Sequence, residues 1–149
     1  QVVALLTGLQ RFSWIDKNPQ EVASVDWVKG ALLMIRAELF NKLHGFDERI
    51  FMYAEDMELC YRAKLAGYLT YFYPFTNVTH VEHGSGDRSF AIVQIYQSLL
   101  YFYKKHKSRG EYLFIKSLLK TKAVLLIVAG HVLRRPYLIK TYEKAIKVA

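Results

Sequence analysis

Apolar positions along this chain come in two kinds of run: short blocks in the first half, helically spaced stripes in the second. Residues 1–7 (QVVALLT) make a brief apolar run, read as a strand or a buried helical turn, and residues 8–24, punctuated by Asn18-Pro19, read as a loop. Residues 25–35 (VDWVKGALLMI) read as a strand entering the core, interrupted at Gly30. A glycine inside a strand pattern marks either a simple bend or a close backbone approach to something bound. A short helix is expected over 36–43, where Ala37, Phe40 and Leu43 lie three apart and His44-Gly45 supplies the stop. Another helix opens at Glu55-Asp56 and stops at Gly67, and residues 68–75 (YLTYFYPF) and 78–81 are strand candidates. From residue 88 the period becomes helical. Ile92, Ile95, Tyr96, Leu99, Leu100 and Tyr103 set a stripe on a helix over 88–107. A second helix is expected over 112–133, apolar at Phe114, Ile115, Leu118 and Leu119 with Lys116, Lys120 and Lys122 opposite, and ended by Arg134-Arg135-Pro136. A third is expected over 137–148.

In the helix that begins at Glu55-Asp56, spacing puts Asp56, Cys60, Ala63 and Gly67 on one face, flanked by Leu59 and Ala66. That face is the apolar one. Glu58 and Arg62, four apart, are expected on a more polar side, where they can pair. First-turn acids commonly do no more than complement the helix dipole, worth ~0.3–1 kcal/mol each. Dipole complementation works from an exposed face, whereas Asp56 heads a stripe that points inward, where an unpaired carboxylate is costly. This makes Asp56 a candidate general base at the rim of a cleft. His80 and His83, beside Glu82 and Gly84-Ser85-Gly86, are candidate ligands for a divalent cation, although their spacing fits no zinc signature and a lone histidine is as often a satisfied core or surface residue. Asp26-Trp27-Val28-Lys29-Gly30 brings an acid, a large ring and a cation together.

These stretches form a series. Asp26-Trp27-Val28-Lys29-Gly30-Ala31, Gly45-Phe46-Asp47-Glu48, the run from Met52 through Glu55-Asp56-Met57-Glu58-Leu59-Cys60-Tyr61 to Arg62, Ala66-Gly67-Tyr68, and His80 with Gly84-Ser85 follow one another. In order and approximate spacing they resemble the C-terminal half of the family 2 inverting glycosyltransferases, especially the bacterial rhamnosyltransferase-like branch. The resemblance is close over 24–85 and looser through the helix over 96–106; its specific part is Glu-Asp-x-x-Leu-x-x-Arg with the preceding Gly-Phe-Asp-Glu. It implies an α/β fold: the acceptor-side, catalytic half of a GT-A domain over 1–86, followed by a helical basic extension over 87–149. It implies that Asp56 is the catalytic base, taking a proton from the acceptor hydroxyl as that oxygen attacks and inverts the anomeric carbon of a nucleotide-sugar. Glu55 would shape the site or contact the acceptor. Trp27, Lys29 and Gly30 would line the donor-sugar and acceptor pocket, with Arg62 also on the substrate-binding side. His80 would help to hold Mg²⁺ or Mn²⁺ on the leaving diphosphate. Such enzymes begin with an alternating strand-helix nucleotide-binding half carrying an Asp-x-Asp metal motif, and neither occurs in these residues. The expectation is a chain with half an active site, weakly active or inactive by itself.

Composition changes this picture in three places. The chain of 149 residues, 52% hydrophobic and 15% aromatic, can bury a core and is not disordered. It opens on Gln1, which reads as a piece of a longer or processed protein, and its single cysteine, Cys60, can make no internal disulfide and reads as a small buried residue. Charge is uneven: residues 101–149 carry twelve Lys/Arg against Glu111 and Glu143, whereas residues 1–100 are slightly acidic. The longest apolar run of that tail, from Ala123 to Ala129, is far short of the ~18 residues a membrane span needs. Lysine-lined apolar helices suit a membrane surface instead, which would put the protein in the cytoplasm, peripheral to the inner face of the cell membrane, beside a glycan or lipid-linked acceptor. Packing of these helices against other protein, with the lysines simply in water, accounts for the same pattern. Nucleic-acid binding, prompted by residues 101–107 (YFYKKHK), is rejected because the aromatics follow the buried stripe. The rival to an enzyme is a non-catalytic membrane-surface or interaction module that keeps these residues for structure.

Overall fold

The computed structural model describes residues 20–80 and 88–149. The apolar run over 1–7, most of the loop over 8–24, and His83 with Glu82 and Gly84-Ser85-Gly86 lie outside the described residues. In chain order the described residues form β1 (Ala23–Val25), a 3-10 turn (Gly30–Leu32), α1 (Ala37–Lys42), α2 (Glu55–Leu65), β2 (Thr70–Phe72), α3 (Arg88–His106), α4 (Arg109–Val132) and α5 (Pro136–Val148). The architecture is helix-rich with a two-stranded sheet, compatible with part of an α/β domain followed by a helical tail.

β1 and β2 pair antiparallel, Ala23 opposite Phe72 and Val25 opposite Thr70. The strand expected over 25–35 thus keeps only Val25, and the stretch 68–75 keeps only 70–72. A ladder lasts while each strand offers the other N–H and C=O groups. Past Val25 the chain turns away, and the Gly30 N–H bonds to a side chain of α2 rather than to a strand. Pro74, with no N–H, limits β2 at its far end. Residues 78–80 form no strand, contrary to expectation, and Val81 is outside the described residues.

The helix stops are the ones glycine chemistry dictates. At the end of α2, Gly67 sits at φ +87°, its N–H bonds to the Lys64 carbonyl at 3.0 Å, and the Tyr68 N–H bonds back to Ala63 at 3.0 Å. This paired closure satisfies carbonyls that the helix leaves open. α1 closes the same way, with His44 taking the left-handed position at φ 59° and the Gly45 N–H reaching the Phe40 carbonyl at 2.9 Å. α4 begins at Arg109, three residues ahead of the expected 112. Ser108 accepts the Glu111 N–H at 3.2 Å while the Glu111 carboxylate accepts the Ser108 N–H at 3.0 Å, a reciprocal cap.

The main core lies between α3, α4 and α5, where Tyr96, Leu100, Ile115, Leu119, Tyr142 and Ala145 are buried together. The Tyr96 hydroxyl donates to the Leu119 carbonyl at 3.2 Å, and burial holds this phenol above its usual range. α4 and α5 approach closely at Gly130: a Cβ there would stand 2.8 Å from Ile139 Cγ1 and 3.2 Å from the Ile139 backbone nitrogen. α2 joins the bundle through an aromatic seam. Tyr61 lies 5.1 Å from Phe102 and 5.0 Å from His106, ring to ring, and the Lys107 ammonium sits 4.3 Å over Tyr61. One helix, α3, therefore packs on both the tail and the helix that opens at Glu55-Asp56.

Candidate active site

Two residues ahead of α2 adopt backbone conformations that side chains disfavour: Tyr53 at φ 63° and Ala54 at φ 72°. Each such residue costs about 1–3 kcal/mol, so neighbouring contacts must fix it. They do so on both sides. Ser98 of α3 donates to the Met52 carbonyl at 3.2 Å, and the Ala54 carbonyl accepts the Glu58 N–H at 2.9 Å as the first helical bond. The sharp entry turns the first residues of α2 toward the 3-10 turn.

Asp56 is half-buried there, and two backbone donors meet its carboxylate: Gly30 N–H to Oδ2 at 2.8 Å and Met57 N–H to Oδ1 at 2.7 Å. Each carboxylate oxygen has two acceptor positions, so each keeps one for a further donor. The close approach at Gly30 is therefore to Asp56 itself. A Cβ on Gly30 would lie 3.7 Å from the Asp56 Cβ and Oδ2, ordinary contact, so the glycine is not required by space. Glu55 differs from its neighbour. Its Oε2 is buried with no partner among the described residues. Burial pushes its carboxyl above the usual range, its own backbone N–H opposes this, and the charge of Asp56 adds to the rise.

The most buried acid is neither of these. Glu58 is 0% exposed, on a side of α2 expected to be polar. The Glu58–Arg62 pair forms, with Arg62 Nε donating to Oε2 at 2.7 Å, but α3 covers it. The C-terminal end of α3 supplies Lys105 Nζ at 2.8 Å and His106 Nε2 at 2.9 Å from Oε1. Lys105 also reaches Asp47 at 2.6 Å, and the Tyr101 hydroxyl donates to the same oxygen at 2.8 Å. Burial alone would raise the Glu58 carboxyl; the bonds from Lys105, His106 and Arg62 outweigh it and hold it low. At Asp47 burial is likewise outweighed by Lys105, Tyr101 and the Arg49 N–H, which bring the carboxyl from 3.8 down to about 2. Two further Arg62 bonds close the open end of α1, Nη1 to the Leu43 carbonyl at 2.6 Å and Nη2 to Gly45 at 2.8 Å. One network thus ties the loop at Asp47, the end of α1, α2 and α3 together.

This network fixes the acid response. As pH falls from about 3.8 toward 2, an unfolded Asp47 takes up a proton before the folded one does, so stability contributed by its bonds is lost across that window. Glu58, also depressed, adds in the same direction. Urea unfolding followed by circular dichroism should show a midpoint falling between pH 5 and pH 3; an unchanged midpoint would show the bonds absent.

The other expected site residues are spread around this centre. Trp27 is half-buried and Lys29 exposed, on the segment that leads to Gly30, while Asp26 pairs with Lys64 of α2 at 2.8 Å on the open surface. His80 is exposed. Among the described residues no group of three or more His, Cys, Asp or Glu is gathered as a metal centre would require, so the set present does not fit a cation by itself. Asp47, Tyr101, Lys105 and His106 were not expected from the sequence as part of this site. The available signal was that Lys105 and His106 lie one turn beyond Tyr101 and Phe102, on the side of α3 that the aromatics bury.

A helix that opens on an acid pair, braced by a buried ionic network, is the setting in which sequence comparison gives a family. The chain belongs to glycosyl transferase family group 2, whose family model matches residues 7–111. It is similar to the rhamnosyltransferase WbbL of Escherichia coli (strain K12), 32% identical over 89 residues, which cover 60% of this chain and 33% of that protein. It is also similar to the N-acetylglucosaminyl-diphospho-decaprenol L-rhamnosyltransferase of Mycobacterium tuberculosis (strain CDC 1551 / Oshkosh), 41% identical over 63 residues, 42% of this chain and 20% of that protein. The chain thus matches a third or less of the length of these relatives. No solved structure matches it.

Proposed function

We propose that this chain supplies the acceptor side of an inverting GT-A glycosyltransferase that moves a sugar from a nucleotide-sugar to a hydroxyl of a glycan or lipid-linked acceptor, in cell-surface polysaccharide or glycolipid synthesis. The observation that carries the reading is the Asp56 carboxylate, held by the Gly30 and Met57 N–H groups with acceptor positions to spare. In this reading Asp56 takes the proton of the attacking hydroxyl, and Glu55 beside it shapes the site or contacts the acceptor. Trp27, Lys29 and Gly30, in the same reading, line the donor-sugar and acceptor pocket, with Gly30 touching Asp56 through its N–H. Arg62 in this reading serves the substrates through the segments that three of its N–H groups hold: Glu58, Leu43 and Gly45. The Mg²⁺ or Mn²⁺ that the resemblance implies would be held mainly by an Asp-x-Asp motif, which these residues lack. In this reading the enzyme works at the cytoplasmic face of the membrane, which the basic charge of residues 101–149 supports.

The test is transfer of labelled sugar by the full-length natural polypeptide, rhamnose first because the relatives are named for it. A product with anomeric configuration opposite to the donor is expected by NMR. Retained configuration would overturn inversion, and absence of transfer from every nucleotide-sugar tried would favour the non-catalytic module.

A further inference from the structure

α4 is apolar on two opposite sides. One side, carrying Ile115, Leu119 and Ala123, faces the core. The other is in solvent: Leu113, Phe114, Val124, Leu125, Val128 and Val132 are 48 to 75% exposed. At 100° per residue these six fall within an arc of about 120°, and at 1.5 Å per residue they run about 28 Å along the helix. Ser117, Thr121 and His131 are the exposed polar residues within that arc, and Lys120, at its edge, is the one exposed Lys, Arg, Asp or Glu of that length. All of this stripe lies beyond the family match, which ends at residue 111.

What covers the stripe is indicated by the charge at its two ends. At the α3–α4 corner, Lys104, Lys107, Arg109 and Tyr112 line an open cleft of about 380 Å³, of which Leu113, the first residue of the stripe, forms the apolar wall. At the other end, exposed Leu133 and Tyr137 flank Arg134-Arg135. We propose that this face of α4 lies flat on an anionic lipid bilayer, with the six apolar side chains among the upper acyl chains and the two cationic ends on phosphate headgroups. Amphipathic helices with basic flanks bind bilayers in this way. A second copy of this chain is a poor occupant, because it would bring a second net charge of +8 against the first. Spanning is excluded for this helix, since no helix among the described residues is long and apolar enough to cross a membrane.

The inference rests on the membrane-peripheral reading above and gives it a surface. α3 leads directly into α4 and grips Glu58, so a docked α4 would hold the helix of Asp56 beside the bilayer, where a lipid-linked acceptor presents its hydroxyl.

The experiment is flotation of the full-length protein with phosphatidylglycerol/phosphatidylcholine vesicles and with phosphatidylcholine alone. Variants are Leu125→Glu with Val128→Glu and, should that pair disturb folding by circular dichroism, Leu125→Ser with Val128→Ser. Wild type should float with the anionic vesicles, and the double glutamate variant should bind at least about tenfold more weakly. Arg134→Ala with Arg135→Ala should lose about fivefold per cation, an effect that high salt erases. Wild type failing to float would overturn the membrane reading itself. Equal flotation of wild type and both stripe variants would keep that reading and remove α4 as the docking face. A dimer by light scattering that the stripe variants dissociate without changing lipid binding would assign the face to a second copy.

Discussion

Asp56→Asn in the full-length enzyme is expected to lower kcat by about 10²–10⁴-fold, the usual contribution of a positioned general base, while donor affinity stays near wild type. The amide matches the carboxylate in shape but cannot accept the hydroxyl proton. It also meets a local conflict. Gly30 N–H and Met57 N–H aim at different oxygens of Asp56, and an amide offers one oxygen and one NH₂, so one N–H must face another donor. That mismatch should cost about 1–3 kcal/mol of stability, visible as a modest fall in thermal midpoint. Turnover measured beside calorimetric donor binding separates the two effects. Near-normal turnover would remove Asp56 as the base, however the variant melts.

Glu58→Ala should be the most destabilising single change in the same region, by about 3–5 kcal/mol, against the ~5–15 kcal/mol that holds an ordinary domain together. The removed carboxylate is 0% exposed, and it leaves Arg62, Lys105 and His106 facing one another with a shared counter-charge gone. Lys105, a third exposed, can partly relax into water, but the Arg62 side chain at 15% has little such escape. Lys105→Met should cost less, because Glu58 then keeps Arg62 and His106. Urea denaturation of the two variants checks this order. A Glu58→Ala loss below about 1 kcal/mol would reduce the network to the worth of an exposed pair such as Lys64–Asp26, whose side chains are 61% and 69% exposed.

The elements that were legible in the sequence are those whose causes are local. α1 and α2 are legible because Gly45 and Gly67 write their stops into the chain, and α3 because its apolar period is sustained. The start of α4 was also written locally, as Ser108-x-x-Glu111, but the apolar stripe drew the boundary to 112. Strands fared worse, since their length depends on a partner that lies elsewhere: β1 and β2 each keep three residues of longer apolar runs. At the site, the Glu55-Asp56 turn could be read from order and spacing. The burial of Glu58 could not, because it is caused by Lys105 and His106, which the sequence presents as part of a basic tail. A cation counted toward a surface is here the counter-ion of a core.

That same arrangement makes α3 a ruler. Ser98, Tyr101 and Lys105 stand on one line of the helix and meet three separate points, the Met52 carbonyl, Asp47 and Glu58. Substitutions elsewhere on α3 leave this line intact, but inserting or deleting a single residue between Arg88 and Ser98 would swing it by about 100° relative to the start of the helix. The bundle and the grip on α2 could then no longer be satisfied together. Descendants of this chain are free to change the letters of α3 far more readily than its length.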